Sequence, residues 1–138
     1  MVKSAKMSFD TRGDTDIIDI TEEVEARLNE SRLEDGVATV FVAHSTAGIA
    51  TIENEAGLVK DFRAMFQRLA PRDIPYSHDS GLGEGNGFSH VRASLLGPSL
   101  AVPFSNGRLS LGTWQRVVLV DFDNRPRTRQ VIVQFLGD

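Results

Sequence analysis

The chain has 138 residues, 41% hydrophobic and 25% charged, with a formal net charge of −4. That is the composition of one folded domain, 1–138, with a real core, and it excludes a disordered chain. The acidic balance leaves no electrostatic footprint for nucleic acid or an anionic membrane, and without cysteine there are no disulfides, thiolate ligands or cysteine nucleophile.

No segment approaches the ~20 apolar residues of a membrane span, and Met1–Lys6 lacks the apolar run of a secretory leader. A cytoplasmic location is expected. Lys6–Thr11 alternates in character and predicts a half-buried strand, followed by a short one at Asp16–Ile20. Thr21 is expected to cap a helix with Glu22 and Glu23 in its first turn, running to about Leu33 before Gly36 closes the turn. Val37–Ala43 is a continuous β-prone run suited to a buried strand, and it delivers His44 at its end. Gly48–Ile52 is a further short strand. Asn54 is expected to cap a second helix whose Leu58, Phe62, Met65, Phe66 and Leu69 form one apolar face. That stripe reads as core.

Pro71 and Pro75 stop this helix, and a polar loop from about Asp73 to Ser89 follows. A loop of that length is functional or disordered; Phe88, Val91, Leu95 and Leu96 could anchor it, which favours function. Asn106-Gly107 between Ser99–Phe104 and Arg108–Leu111 predicts a tight hairpin. Arg116–Phe122 and Arg129–Phe135 are expected to pair as a second hairpin across Asp123–Pro126. Two main helices among antiparallel strands define an α+β, β-rich fold; the alternation a Rossmann unit requires is missing.

All three histidines, His44, His78 and His90, lie in segments rich in glycine, hydroxyl and carboxylate residues. Three neutral imidazoles with an open fourth position suit zinc. Magnesium would instead use oxygen donors such as Glu84, Asp79, Asp61 or Glu55. Gly81, Gly83, Gly85 and Gly87 alternate around Glu84 and Asn86, so backbone amides could cradle an anion, yet the Gly-Lys-Ser/Thr of a P-loop is missing. Ser45 and Thr46 adjoin His44; without a nucleophile elbow they suit hydrogen bonding better than hydrolysis. Trp114 could stack on a heteroaromatic ligand or simply pack. Arg125, Arg127 and Arg129 could bind phosphate, with pairing to Asp121 and Asp123 on the surface the simpler expectation.

Together, His44-Ser45-Thr46-Ala47, Asn54-Glu55, Asp61, His78, Gly85-Asn86-Gly87 with His90, Gly112-Thr113-Trp114-Gln115 and Pro126-Arg127-x-Arg129 resemble the YjbQ family over nearly the whole chain. The resemblance implies a homotrimer with a histidine-rich, metal-dependent pocket, formed by His44, His78 and His90 with zinc, or magnesium as the alternative. It implies a thiamine-phosphate-synthase-like condensation of a hydroxymethylpyrimidine diphosphate with a thiazole phosphate. On that reading Glu84 and His90 are catalytic, and Ser45, Thr46, Asn86, Trp114, Gln115 and Arg127 contact the phosphorylated substrate. A non-catalytic metal- or small-anion-binding trimer is the alternative. Trimer formation is expected to cover Val117–Val120 and Val131–Phe135, with Arg127 reaching a neighbour's site.

Overall fold

The β-prone runs and amphipathic segments form eight strands and three α-helices in a computed structural model that describes residues 1–81 and 83–138, leaving Leu82 of the glycine loop outside the described residues. In chain order these are β1 Val2–Thr11, β2 Asp16–Asp19, α1 Thr21–Ser31, β3 Gly36–Val42, β4 Ala47–Ile52, α2 Ala56–Leu69, α3 Gly87–Leu96, β5 Ser99–Ser105, β6 Arg108–Leu109, β7 Arg116–Asp121 and β8 Arg127–Gly137, with one 3₁₀ turn at Ser77–Asp79. One sheet has the order β1-β8-β3-β5-β6 and the other β2-β7-β4, with every pair antiparallel.

The unbroken apolar run of β7 has a simple cause. Val117 and Leu119 belong to the core shared with α1 and the five-stranded sheet, where Val24, Leu28, Val40, Val133 and Phe135 are buried. Val118 and Val120 belong to a second core with Phe66, Ala93 and Phe122, packed against α2 and α3. A central strand covered on both faces has no position left for an unpaired polar residue. Each fully buried side chain of this size contributes roughly 1.5–3 kcal/mol. In β8 only one face is buried, so Val131, Val133 and Phe135 alternate with the more exposed Gln130, Ile132 and Gln134.

Several expectations are corrected. β7 and β8 do not pair, because Asp123–Pro126 crosses from the small sheet to the large one. Both strands are therefore interior, and neither presents an unpaired edge. The polar loop ends early, and a third helix begins at Gly87 because Asp79, eight residues upstream, accepts a hydrogen bond from the Gly87 N–H at 2.8 Å. A cap supplied from outside the helix leaves no local sequence signature. Glu55, not Asn54, caps α2, accepting from the backbone amides of Gly57 and Leu58 at 2.9 and 2.6 Å. Thr21 is the first residue of α1, and its hydroxyl accepts from the Val117 amide at 2.9 Å. The Asn106-Gly107 hairpin forms as expected, with both residues at positive φ (53° and 70°) and Ser105 paired to Arg108. Among the described residues, no helix is long and apolar enough to cross a membrane.

Candidate functional site

The chain passes between the two sheets at one end of the molecule three times: β1 to β2, β3 to β4, and β7 to β8. These crossings lie against one another. The Asp14 amide donates to the Asp123 carbonyl at 2.6 Å and the Phe122 amide to the Thr46 carbonyl at 2.9 Å. Gly13 has φ +86°, and a Cβ there would lie 2.6 Å from the Asp123 carbonyl oxygen and 2.7 Å from that of Arg125. Only glycine lets the first crossing approach the third so closely.

The crossings enclose a charge network. Arg129 meets Asp121 through two bonds, Nε to Oδ2 at 2.6 Å and Nη2 to Oδ1 at 2.9 Å, with side-chain exposures of 5% and 0%. Thr11 Oγ1 donates to Asp121 Oδ2 at 2.5 Å. Arg127 Nε and Thr46 Oγ1 donate to Asp123 Oδ2, at 2.7 and 3.1 Å, while Asn86 Nδ2 donates to Oδ1 at 3.2 Å. Burial raises the Asp123 pKa. The donors, led by the Asn124 amide and followed by Asn86, Arg127 and Thr46, outweigh this and hold it down at about 2. Two carboxylates and two guanidiniums balance, so this charge can stay in place out of water. The pairing of Arg127 and Arg129 with Asp121 and Asp123 is as the sequence suggested, but both aspartates are buried rather than on the surface, and Arg125 pairs with neither, lying instead 3.8 Å from the exposed Glu84.

Two adjoining cavities open over this network and share Glu84, Asn86 and His90. One, about 410 Å³, adds His78, Ser80 and Gly83. The other, about 380 Å³, adds the β3–β4 residues His44, Ser45 and Thr46 together with Asp123, Arg127 and Arg129. The rings of His78 and His90 lie 4.5 Å apart, centroid to centroid. His44 Nε2 accepts a hydrogen bond from the Gln130 backbone amide at 3.0 Å. A ring nitrogen that accepts carries no proton, so neutral His44 carries its proton on Nδ1. Burial first, and the charge of Arg129 second, lower its pKa and favour that neutral form.

Of the residues singled out from sequence, His44, Ser45, Thr46, His78, Glu84, Asn86, His90 and Arg127 meet around this pair of cavities. Arg127 does so within its own chain. Glu84 lies 3.2 Å from Arg127 Nη2, bridging glycine loop and arginine at the opening. Trp114 and Gln115 do not line either cavity: Trp114 is 71% exposed, and Gln115 Oε1 accepts from the Gly112 amide. The expected metal centre is not assembled either. Among the described residues no three His, Asp or Glu side chains stand where they could hold one ion, and His44 Nε2 is already committed to Gln130. Within one chain, the described residues therefore do not fit a three-histidine centre. Sequence reasoning missed Thr11 and the buried role of Asp121. Its signal was there: an aspartate between Val120 and Phe122, in a run buried on both faces, must be paired.

The fold and site define a class: a two-sheet α+β domain with a histidine, arginine and carboxylate pocket where its sheet crossings meet. A family model described as UPF0047 protein YjbQ-like matches residues 5–138. A UPF0047 protein of Archaeoglobus fulgidus is 41% identical over 131 residues, spanning 95% of this chain and 99% of that protein. Bacillus subtilis YugU is 37% identical over 139 residues, 99% and 100% of the two chains. The crystal structure of a hypothetical protein from Aeropyrum pernix superposes with a TM-score of 0.91 at 32% identity over 99% of both chains. A YbjQ-like protein of unknown function from Sulfolobus solfataricus gives 0.90 at 30% over 100% of both. The chain belongs to the UPF0047, YjbQ-like family.

Proposed function

We propose that the paired cavities bind a small phosphorylated ligand, and that the reaction is the condensation of a hydroxymethylpyrimidine diphosphate with a thiazole phosphate. One observation carries the binding half of this reading. Among the described residues, Arg127 Nη1, Arg129 Nη1 and His44 Nδ1 have no hydrogen-bond partner, while the other nitrogens of these three side chains are engaged. Held in place by their other bonds, these donors are preorganised for an oxyanion.

In the reaction the thiazole nitrogen attacks the methylene carbon of the pyrimidine, and the bond from that carbon to the diphosphate oxygen breaks. Charge accumulates on the departing diphosphate, where Arg127, Arg129 and the His44 Nδ1–H stabilise it. His90, which faces both cavities, supplies a proton to the leaving group. Glu84 exchanges its Arg127 partner for solvent as phosphate arrives.

The test is purified protein with both substrates, measuring thiamine phosphate and diphosphate, alongside direct titration with inorganic diphosphate. Turnover that falls at least about tenfold in Arg127→Ala, in proportion to a lost charge-assisted hydrogen bond, supports the reading. Turnover unchanged in His90→Ala overturns it, and so does the absence of both turnover and diphosphate binding. Binding without turnover selects the second reading, a non-catalytic small-anion-binding protein, which the same donors serve.

We further propose that the chain assembles as a homotrimer. The support is apolar surface left open on α3, where Val91 and Leu95, four residues apart, are 46% and 58% exposed. Light scattering at the monomer mass of 15.1 kDa overturns this.

A further inference from the structure

A domain stacks its layers so that each apolar sheet face finds a cover. The five-stranded sheet meets this rule on one side only. Its inner face packs against α1 and the small sheet, whereas the outward side chains of β1, β3, β5 and β8 stay exposed or half-buried. The strands are in register there. Ile132, Gln134 and Leu136 of β8 stand opposite Phe41, Thr39 and Val37 of β3, and β1 and β5 continue the same three rows on either side. Phe41 and Leu136 are 38% and 55% exposed. Lys6, at the β1 edge, is the one charged side chain in these rows, although 25% of the chain is charged. A solvent-facing surface so poor in charge has the composition of the centre of a protein interface.

We propose that this outer face is where copies of the chain meet, the five-stranded sheet of one subunit packing face to face on that of the next. The inference rests on the homotrimer reading above and names its contact surface. Charge selects the occupant. Each copy carries a net charge of −4, so most pairs of surfaces set carboxylates against one another. On these three rows there is no carboxylate, and two copies approach without that opposition. A nucleic acid, an anionic bilayer or an acidic peptide would find a single cation, Lys6, at the margin. An identical sheet offers the same twist and the same uncharged rows, which is what aligned sheet-on-sheet packing uses. One row nearer the crossings, Gln130 shares this face, and its backbone amide donates to His44 Nε2 at 3.0 Å. The contact therefore borders the pocket.

The experiment measures the mass of the full chain by light scattering and sedimentation across a concentration series, for the natural sequence, Thr39→Lys and Gln134→Lys. Both positions lie in the middle row and are exposed, so a monomer accommodates the lysine. Between two sheets the same ammonium is stripped of water without a partner. Association is expected to weaken about 100-fold or more, the scale of a charge misplaced across an interface, leaving each variant at 15.1 kDa where the natural chain is assembled. Ala26→Lys, on the exposed side of α1, should assemble as the natural chain does. A lysine variant that keeps its fold by circular dichroism and stays assembled overturns this inference and leaves the trimer standing. Equal dissociation of Ala26→Lys also overturns it, because charge anywhere would then suffice. A natural chain that is monomeric throughout overturns the assembly reading and this inference together. Hydroxyl-radical footprinting of the natural chain needs no variant: labelling of Phe41 and Leu136 should fall as the chain assembles, and unchanged labelling refutes the assignment.

Discussion

Replacing Asp121 by asparagine keeps the shape of the side chain and removes only its charge and one acceptor. The carboxylate accepts from Thr11 Oγ1, Arg129 Nε, Arg129 Nη2 and the Asp123 amide at 2.5, 2.6, 2.9 and 2.9 Å. In either orientation an amide would set its NH₂ against two of these donors, at least one of them on Arg129. Because the two side chains are 0% and 5% exposed, little water reaches the guanidinium, and its one remaining charged partner is Asp123 at the longer distance of 3.4 Å. Removing one member of a buried pair costs about 3–5 kcal/mol, so Asp121→Asn should lose about that much in urea-induced unfolding. In a domain of this size that is a fall of roughly 10–20 °C in Tm. A companion variant isolates the cause. Asp121→Leu with Arg129→Met removes both charges and should be more stable than Asp121→Leu alone, since no buried charge is left unpaired. A loss below about 1 kcal/mol in Asp121→Asn, on the same buried-pair scale, would refute the argument. So would a double variant no better than the single one.

The folded-state pKa of Asp123, about 2 against an ordinary 3.8, makes stability acid-sensitive. An acid with a depressed folded pKa contributes fully above its unfolded pKa and loses that contribution as pH falls through the folded value. About 2 kcal/mol should therefore disappear between about pH 4 and pH 2. Urea midpoints across that range should show it, and Asp123→Asn should flatten the limb. Gly13→Ala adds a Cβ 2.6 Å from the Asp123 carbonyl oxygen at φ +86°. It should destabilise by about 1–3 kcal/mol, from strain at a disfavoured φ, and weaken diphosphate binding by displacing the Asp123 crossing; unchanged unfolding and binding curves would contradict this. Glu55→Ala should cost about 1 kcal/mol by removing the α2 cap, whereas Asn54→Ala should be close to neutral by thermal denaturation. Nitrogen NMR should find His44 protonated on Nδ1 when neutral, and titrating below the ordinary imidazole range; a proton on Nε2 would contradict the Gln130 bond.

Local chemistry was legible in the chain wherever the residues that decide a feature lie close together. The strands at 37–43, 48–52 and 116–122, the apolar stripe of the second helix and the Asn106-Gly107 hairpin all follow from period, propensity and the φ that two residues can adopt. The α+β class follows from their order. The motif residues His44, Ser45, Thr46, Asn86, His90 and Arg127 also pointed to one site, and they do line the same pair of cavities.

Features that depend on residues distant in sequence were settled by the tertiary structure. β7 and β8 each read as half of a hairpin, yet they lie in different sheets, because β8 buries one face between β1 and β3 while β7 buries both of its faces. The start of α3 depends on Asp79, and the Nε2 of His44 depends on a backbone amide 86 residues away. That last bond leaves His44 a neutral Nδ1 donor rather than an available Nε2 ligand. Residue types in a sequence specify which groups can titrate or coordinate. Which lone pair is already occupied is fixed only when the sheet crossings bring its partner within 3.0 Å, since a hydrogen bond is satisfied by position and not by proximity along the chain.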